Sequence, residues 1–140
     1  METKYQTFED LIIWQESIRL CCDVFDSLGS SKHFGLINQI EKSAVSVPSN
    51  IAEGFERQTD KEFIQFLYIA KGSSAELRTQ LYIASNQKII DQEKCSDFIN
   101  RSKKNSALIQ NLISSKKRKL RNNLLAILTQ LTHFFLLANI

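Results

Sequence analysis

His33 and His133 are the only imidazoles of the chain, and neither stands in the HxxxH or HExxH spacing that aims two ring nitrogens at one metal ion. Cys21, Cys22 and Cys95 form no CxxC pair, so zinc ligation and dithiol redox chemistry lack their usual frame and each thiol reads as a helix packing group. Gly72-Ser73-Ser74 lacks the GxSxG turn that exposes a nucleophilic serine, and no GxxxxGK[ST] or GxGxxG loop offers backbone N–H groups to a phosphate. Helix bundles build di-metal sites from Glu-x-x-His pairs, and the sequence contains none. Glu53 is the carboxylate whose setting most invites chemistry, since it sits beside the inward positions Ile51 and Gly54; partial burial and an ion pair with Arg57 or Lys71 account for it more simply than catalysis. The expectation is therefore a protein that is not an enzyme and holds neither cofactor nor metal.

Phosphate recognition is the chemistry that the residue types do favour. Residues 1–60 carry ten acids and five bases, residues 61–100 five of each, and residues 101–140 eight bases and no acid, so the formal charge runs from −5 through 0 to +8. The eight bases are Arg101, Lys103, Lys104, Lys116, Lys117, Arg118, Lys119 and Arg121. Such a block suits a negatively charged partner: RNA or DNA, anionic lipid, or the acidic part of another subunit. Read as a phosphate-binding surface, it gives sequence-tolerant affinity that falls with salt; read plainly, it is the solvated face of a helix. The first ten residues lack the basic-then-apolar pattern of a secretory signal, and with unpaired cysteines this points to the reducing cytoplasm.

The elements that carry these residues are helices. Four glycines and one proline are too few for a β-fold, which turns every ~8 to 12 residues. Thr7 and Asp10 have capping-box spacing, and Leu11, Trp14, Ile18, Cys21, Phe25 and Leu28 form one stripe of a first helix, stopped by Gly29-Ser30-Ser31. Ile37, Ile40, Ala44, Val47, Ile51 and Gly54 mark a second helix that must accommodate Pro48, with Ser43, Ser46, Ser49 and Asn50 near enough to hydrogen-bond freed carbonyls around a kink. Thr59 and Glu62 cap a third helix over about residues 60–87, with Phe63, Phe66, Ala70, Ser73, Leu77, Leu81 and Ala84 inward and a small-residue centre at Gly72 expected to pack near Ala44. Asp91 caps a fourth, whose apolar positions are Cys95, Phe98, Ile99, Ile109, Leu112 and Ile113, with Ser102, Asn105 and Ser106 between them.

After the basic cluster, residues 124–140 are rich in Leu, Ile and Phe but are short for a membrane span of ~20 residues and include Thr129, Gln130, Thr132, His133 and Asn139. Leu120, Leu124, Ile127, Leu128, Leu131, Phe134, Phe135 and Ala138 share one side, which predicts an amphipathic helix docked on the bundle or on another subunit. The organisation expected is an N-terminal extension over residues 1–6, an antiparallel up-and-down four-helix bundle over 7–115, and a basic cluster with an additional C-terminal amphipathic helix over 116–140.

The stretch Ala44-Val45-Ser46-Val47-Pro48-Ser49-Asn50-Ile51-Ala52-Glu53-Gly54-Phe55 resembles the four helix bundle proteins described as products of intervening sequences in bacterial 23S ribosomal RNA genes. The likeness extends from Phe8-Glu9-Asp10-Leu11 and Trp14-Gln15 through Gly35-Leu36 to Glu62-Phe63, Phe66-Leu67, Ile69-Ala70-Lys71-Gly72-Ser73 and Glu76-Leu77. It implies a left-handed antiparallel bundle in which Pro48, Ser49, Asn50, Glu53, Gly54, Gly72 and Ser73 are structural. By similarity to the accessory proteins of diversity-generating retroelements, it also implies a barrel-like homopentamer that binds nucleic acid through basic surface. Glu41-Lys42 departs from the paired arginines frequent in such proteins, and the tail after Arg121 exceeds their usual length. Three functions follow: an oligomeric nucleic-acid-binding accessory protein, an oligomeric scaffold that binds proteins only, or a peripheral membrane protein held by its basic apolar tail.

Overall fold

Connections of four to six residues leave each helix little choice but to run back along its predecessor. The computed structural model describes residues 5–29 and 32–138, and these form helices α1 (Ile12–Ser27), α2 (Phe34–Phe55), α3 (Asp60–Asn86) and α4 (Gln92–Ala138), with no strand among them. Cross-helix pairs establish the antiparallel order. Ser43 meets Gln80 while Ser46 meets Ser73, Ser74 meets Ser102 while Asp60 meets Lys116, and Ser17 meets Asn105 while Asp23 meets Arg101. Each helix backbone runs beside its two neighbours in a ring, α1 closing on α4, and no close backbone approach crosses the diagonals among the described residues.

The capping box at Thr7 and Asp10 is present, with the Asp10 carboxylate accepting from the Thr7 and Gln6 N–H groups, but it opens a 3-10 turn over Phe8–Asp10. Leu11 is extended and α1 starts after it. The buried stripe of α1 is Ile13, Ser17, Leu20 and Val24, about one residue round from the stripe of Trp14, Ile18, Cys21 and Phe25 expected from hydrophobicity. Ser17 causes the displacement. It is buried at the centre of the inward face, where its hydroxyl donates to the Ile13 carbonyl and accepts from Asn105. Gly29 follows α1 without entering the left-handed region, so it is not a glycine C-cap of the expected kind; Ser30 and Ser31 lie outside the described residues.

Pro48 is buried inside an uninterrupted α2. The turn around it is held by side chains: Ser49 Oγ donates to the Val45 carbonyl at 2.8 Å, and Asn50 Nδ2 to the Ser46 carbonyl at 2.8 Å. Thr59 and Glu62 cap α3 reciprocally, and Asp91 accepts from the Glu93 and Lys94 N–H groups at the start of α4.

Two apolar layers fill the bundle. Leu20, Val24, Ile40, Leu77, Leu81 and Phe98 anchor one end, and Ile13, Ile51, Phe63, Leu67, Ile109 and Ile113 the other. Each such side chain contributes ~1.5 to 3 kcal/mol by leaving water. Between the layers lies a polar one built from Ser17, Ser43, Ser73, Ser74, Ser102 and Asn105. This is where the apolar pattern of the fourth helix thins in the sequence. Beyond Lys116, α4 continues without a break and every side chain through Ala138 is exposed. The expected C-terminal helix is thus the outer part of α4, and it docks on no helix of its own chain. Asn139 and Ile140 lie outside the described residues.

Candidate nucleic-acid interface

The eight bases of the C-terminal segment fall into two groups along α4, separated by residues 105–115, which carry no charge. At 3.6 residues per turn, Lys104 and Arg118 stand opposite the buried side of α4 and about 21 Å apart, with Lys103 and Arg121 flanking them on one side and Lys119 on the other. These five are exposed. A helix face of this kind places ammonium and guanidinium groups over a span of several phosphates with no acid among residues 98–138 to compete.

The other three are engaged by the bundle. Arg101 lies 2.6 Å from Asp23 and 3.4 Å from Asp97, with only 28% of its side chain exposed. Burial pulls its guanidinium pKa down, and the hydrogen bonds and charges of Asp23 and Asp97 outweigh that and hold it above its ordinary value. Lys116 reaches Asp60 at 2.5 Å and lies 4.9 Å above the Phe63 ring. Lys117 donates to the Tyr68 hydroxyl at 2.9 Å, which lowers the phenol pKa. Asp23 and Asp60 as partners have no local sequence signal, because both pairings span the full fold.

The motif residues prove to be a packing device between α2 and α3. Asn50 Nδ2 also donates to Ser46 Oγ at 3.0 Å, and Ser46 Oγ lies 2.8 Å from Ser73 Oγ. A Cβ on Gly54 would stand 2.5 Å from Phe66 Cβ and 2.9 Å from Phe63, so the glycine sets the distance between the helices. Two residues differ from expectation. Glu53 is exposed rather than partly buried, paired with Arg57, while Lys71 turns to Gln110. Gly72 is exposed with open space around it and packs on nothing in its own chain. Helical geometry turns both positions outward, since Ile51, Gly54, Ser73 and Ser74 occupy the inward arc.

Ser17, Ala44, Val47, Ser74, Ser102 and Asn105 line a cavity of about 10 Å3, and Asn105 Oδ1 is buried without a hydrogen-bond partner among the described residues. That is room for about one water molecule, far below the ~300 Å3 of a small-molecule site. Burial and the neighbouring Cys22 push the Cys21 thiol up to about 11, so it is protonated at neutral pH. Among the described residues no group of histidines, cysteines and carboxylates is placed to hold a metal ion, and no helix is long and apolar enough to cross a membrane.

The fold and its basic face define an all-helical, antiparallel four-helix-bundle protein. The chain belongs to the 23S rRNA-intervening sequence protein family, whose sequence profile matches residues 9–111. A similar solved structure is a protein of unknown function from the S23 ribosomal protein family of Bacteroides thetaiotaomicron, with a TM-score of 0.68 and 23% identity over 73% of this chain and 98% of that one. None of the curated proteins matches the sequence.

Proposed function

We propose that this chain is a non-enzymatic, cytoplasmic, homo-oligomeric accessory protein that binds RNA or DNA through phosphates. The observation that carries the reading is the outward face of α4 over residues 98–138, which holds no acid and bears Lys103, Lys104, Arg118, Lys119 and Arg121. Lys117 extends this face beside Tyr68, whereas Arg101 and Lys116 would have to leave carboxylates to join it. Affinity that rests on phosphate contacts is sequence-tolerant and falls with salt.

Assembly is supported by a second surface. Tyr68, Ile69, Gly72, Ala75, Thr79, Tyr82 and Ile83 form one exposed stripe of α3, apolar for most of its length and smooth at Gly72, which suits close approach of a second copy. The family resemblance implies five subunits. The test is binding of labelled structured RNA and duplex DNA across a salt series, with mass recorded by light scattering in the same buffers. Binding by an oligomer that weakens steeply with salt is the expected result. A stable oligomer that retains neither nucleic acid at low salt overturns it in favour of a protein-interaction scaffold, for which the α3 stripe alone would suffice.

A further inference from the structure

The outer part of α4 continues the stripe that the bundle buries. Cys95, Phe98, Ser102, Asn105, Ile109 and Ile113 face the bundle, and the same side of the helix then carries Leu120, Leu124, Ile127, Leu131, Phe134 and Ala138 where there is no bundle left to cover it. Residues 117–138 extend about 33 Å beyond Lys116, and Leu124, Ile127, Phe134 and Phe135 are each more than half exposed. The spacings along this seam are four, three, four, three and four, a seven-residue repeat of the kind that packs helix against helix, widened by Leu128 and Phe135.

We infer that residues 120–138 of α4 form a self-complementary surface that pairs antiparallel with the same segment of a second copy. Charge decides the direction. A parallel pair would bring two clusters of Lys117, Arg118, Lys119 and Arg121 side by side, with no acid of α4 after Asp97 to relieve them. The antiparallel pair sets Leu120 against Ala138, Leu124 against Phe134 and Ile127 against Leu131, and holds the cluster centres about 31 Å apart, several screening lengths at physiological salt. It also brings each cluster to the C-terminal end of the partner helix, where the backbone dipole is negative.

A lipid surface fits less well. Helices that lie on anionic membranes carry lysine and arginine along their polar face, whereas the face of the tail opposite the seam, with Asn122, Leu125, Thr129, His133 and Leu136, holds no fixed cation. The pairing is independent of nucleic-acid binding and of assembly through α3, and it would join two chains or two larger assemblies alike.

The full chain is measured by light scattering in high salt, which releases nucleic acid, beside a seam variant, Leu124→Glu with Leu131→Glu, and an off-seam variant, Leu125→Glu with Leu136→Glu. All four positions are exposed, so the bundle folds in each, as checked by helical circular dichroism through a thermal melt. The expected result is that the seam variant has half the native mass and the off-seam variant the native mass. A chain carrying Leu124→Cys should also form a disulfide with one carrying Phe134→Cys, both in a Cys22→Ser background, and not with itself. Unchanged mass in the seam variant overturns the pairing. So does equal loss in both variants, or flotation of the native chain with phosphatidylcholine–phosphatidylserine vesicles that both variants abolish. If the native chain proves to be a dimer and the seam variant a monomer, the pairing stands and the larger α3 assembly falls.

Discussion

Gly54 faces Phe66 so closely that a methyl group on the glycine would stand 2.5 Å from the phenylalanine Cβ, backbone-anchored atoms that cannot swing away. Gly54→Ala should therefore destabilise the bundle by ~1 to 3 kcal/mol through overpacking, despite the ~1 kcal/mol that alanine gains in helix propensity. Gly72→Ala, with open space at the same atom, should leave the bundle unharmed and stabilise it by up to ~1 kcal/mol. Urea unfolding of the two variants beside the native chain checks both signs, and a shared sign would remove the close-approach argument.

How much of this was legible beforehand depends on distance along the chain. Ile40, Ala44, Val47 and Ile51 announce α2 by their spacing, and Thr59 with Glu62 announces the start of α3, because caps and periodicity are local. The basic residues of α4 between Arg101 and Arg121 were equally plain. The register of α1 was not, because its inward centre is Ser17, whose burial depends on Asn105 from another helix. The sorting of the candidate interface into free and engaged cations was hidden for the same reason, since Asp23 and Asp60 are far in sequence from Arg101 and Lys116.

Lys88 closes α3 with φ of 56°, its N–H bonded to the Ser85 carbonyl and the Ile89 N–H to the Ala84 carbonyl. This is a Schellman ending made by a residue with a Cβ where glycine is preferred. Lys88→Gly should raise stability by about 1 kcal/mol, read as a higher urea midpoint at unchanged slope.

Asn105 donates to the Ile13 carbonyl at 3.1 Å and to Ser17 Oγ at 2.7 Å from within the polar layer. Asn105→Asp replaces those donors with a buried carboxylate, whose pKa must rise on folding. A raised folded pKa means that stability is lost as pH climbs through the ordinary carboxylate range, so the penalty should be ~3 kcal/mol or more at neutral pH and shrink below about pH 4. Thermal melts of variant and native chain across acid pH measure the difference, and a pH-independent penalty would count against burial of this position.

The Cys21 thiol provides an alkaline counterpart. Its pKa rises on folding from 9.0 to about 11, first through burial and then through Cys22, so the folded chain keeps a proton that the unfolded chain releases. Its contribution to stability is complete below about pH 9 and is lost as pH rises toward 11. Cys21→Ala should flatten the alkaline fall of the urea midpoint relative to the native chain, and parallel curves would sink the assignment.

Lys116 and Arg118 are two residues apart yet should behave differently. Lys116 is three-quarters covered and paired with Asp60, an acid already favoured by its place in the first turn of α3, so Lys116→Met should cost only ~0.5 to 1 kcal/mol of stability and leave nucleic-acid affinity almost unchanged. Arg118→Glu with Arg121→Glu touches no carboxylate and should leave the melting temperature within about a degree, while weakening binding of RNA and duplex DNA alike. The slope of log affinity against log salt should become shallower by ~0.7 to 0.9 for each phosphate contact removed. Binding and melting measured on the same preparations separate the two roles; if Lys116→Met weakened binding as much as the double reversal, the division of α4 into engaged and free cations would be wrong.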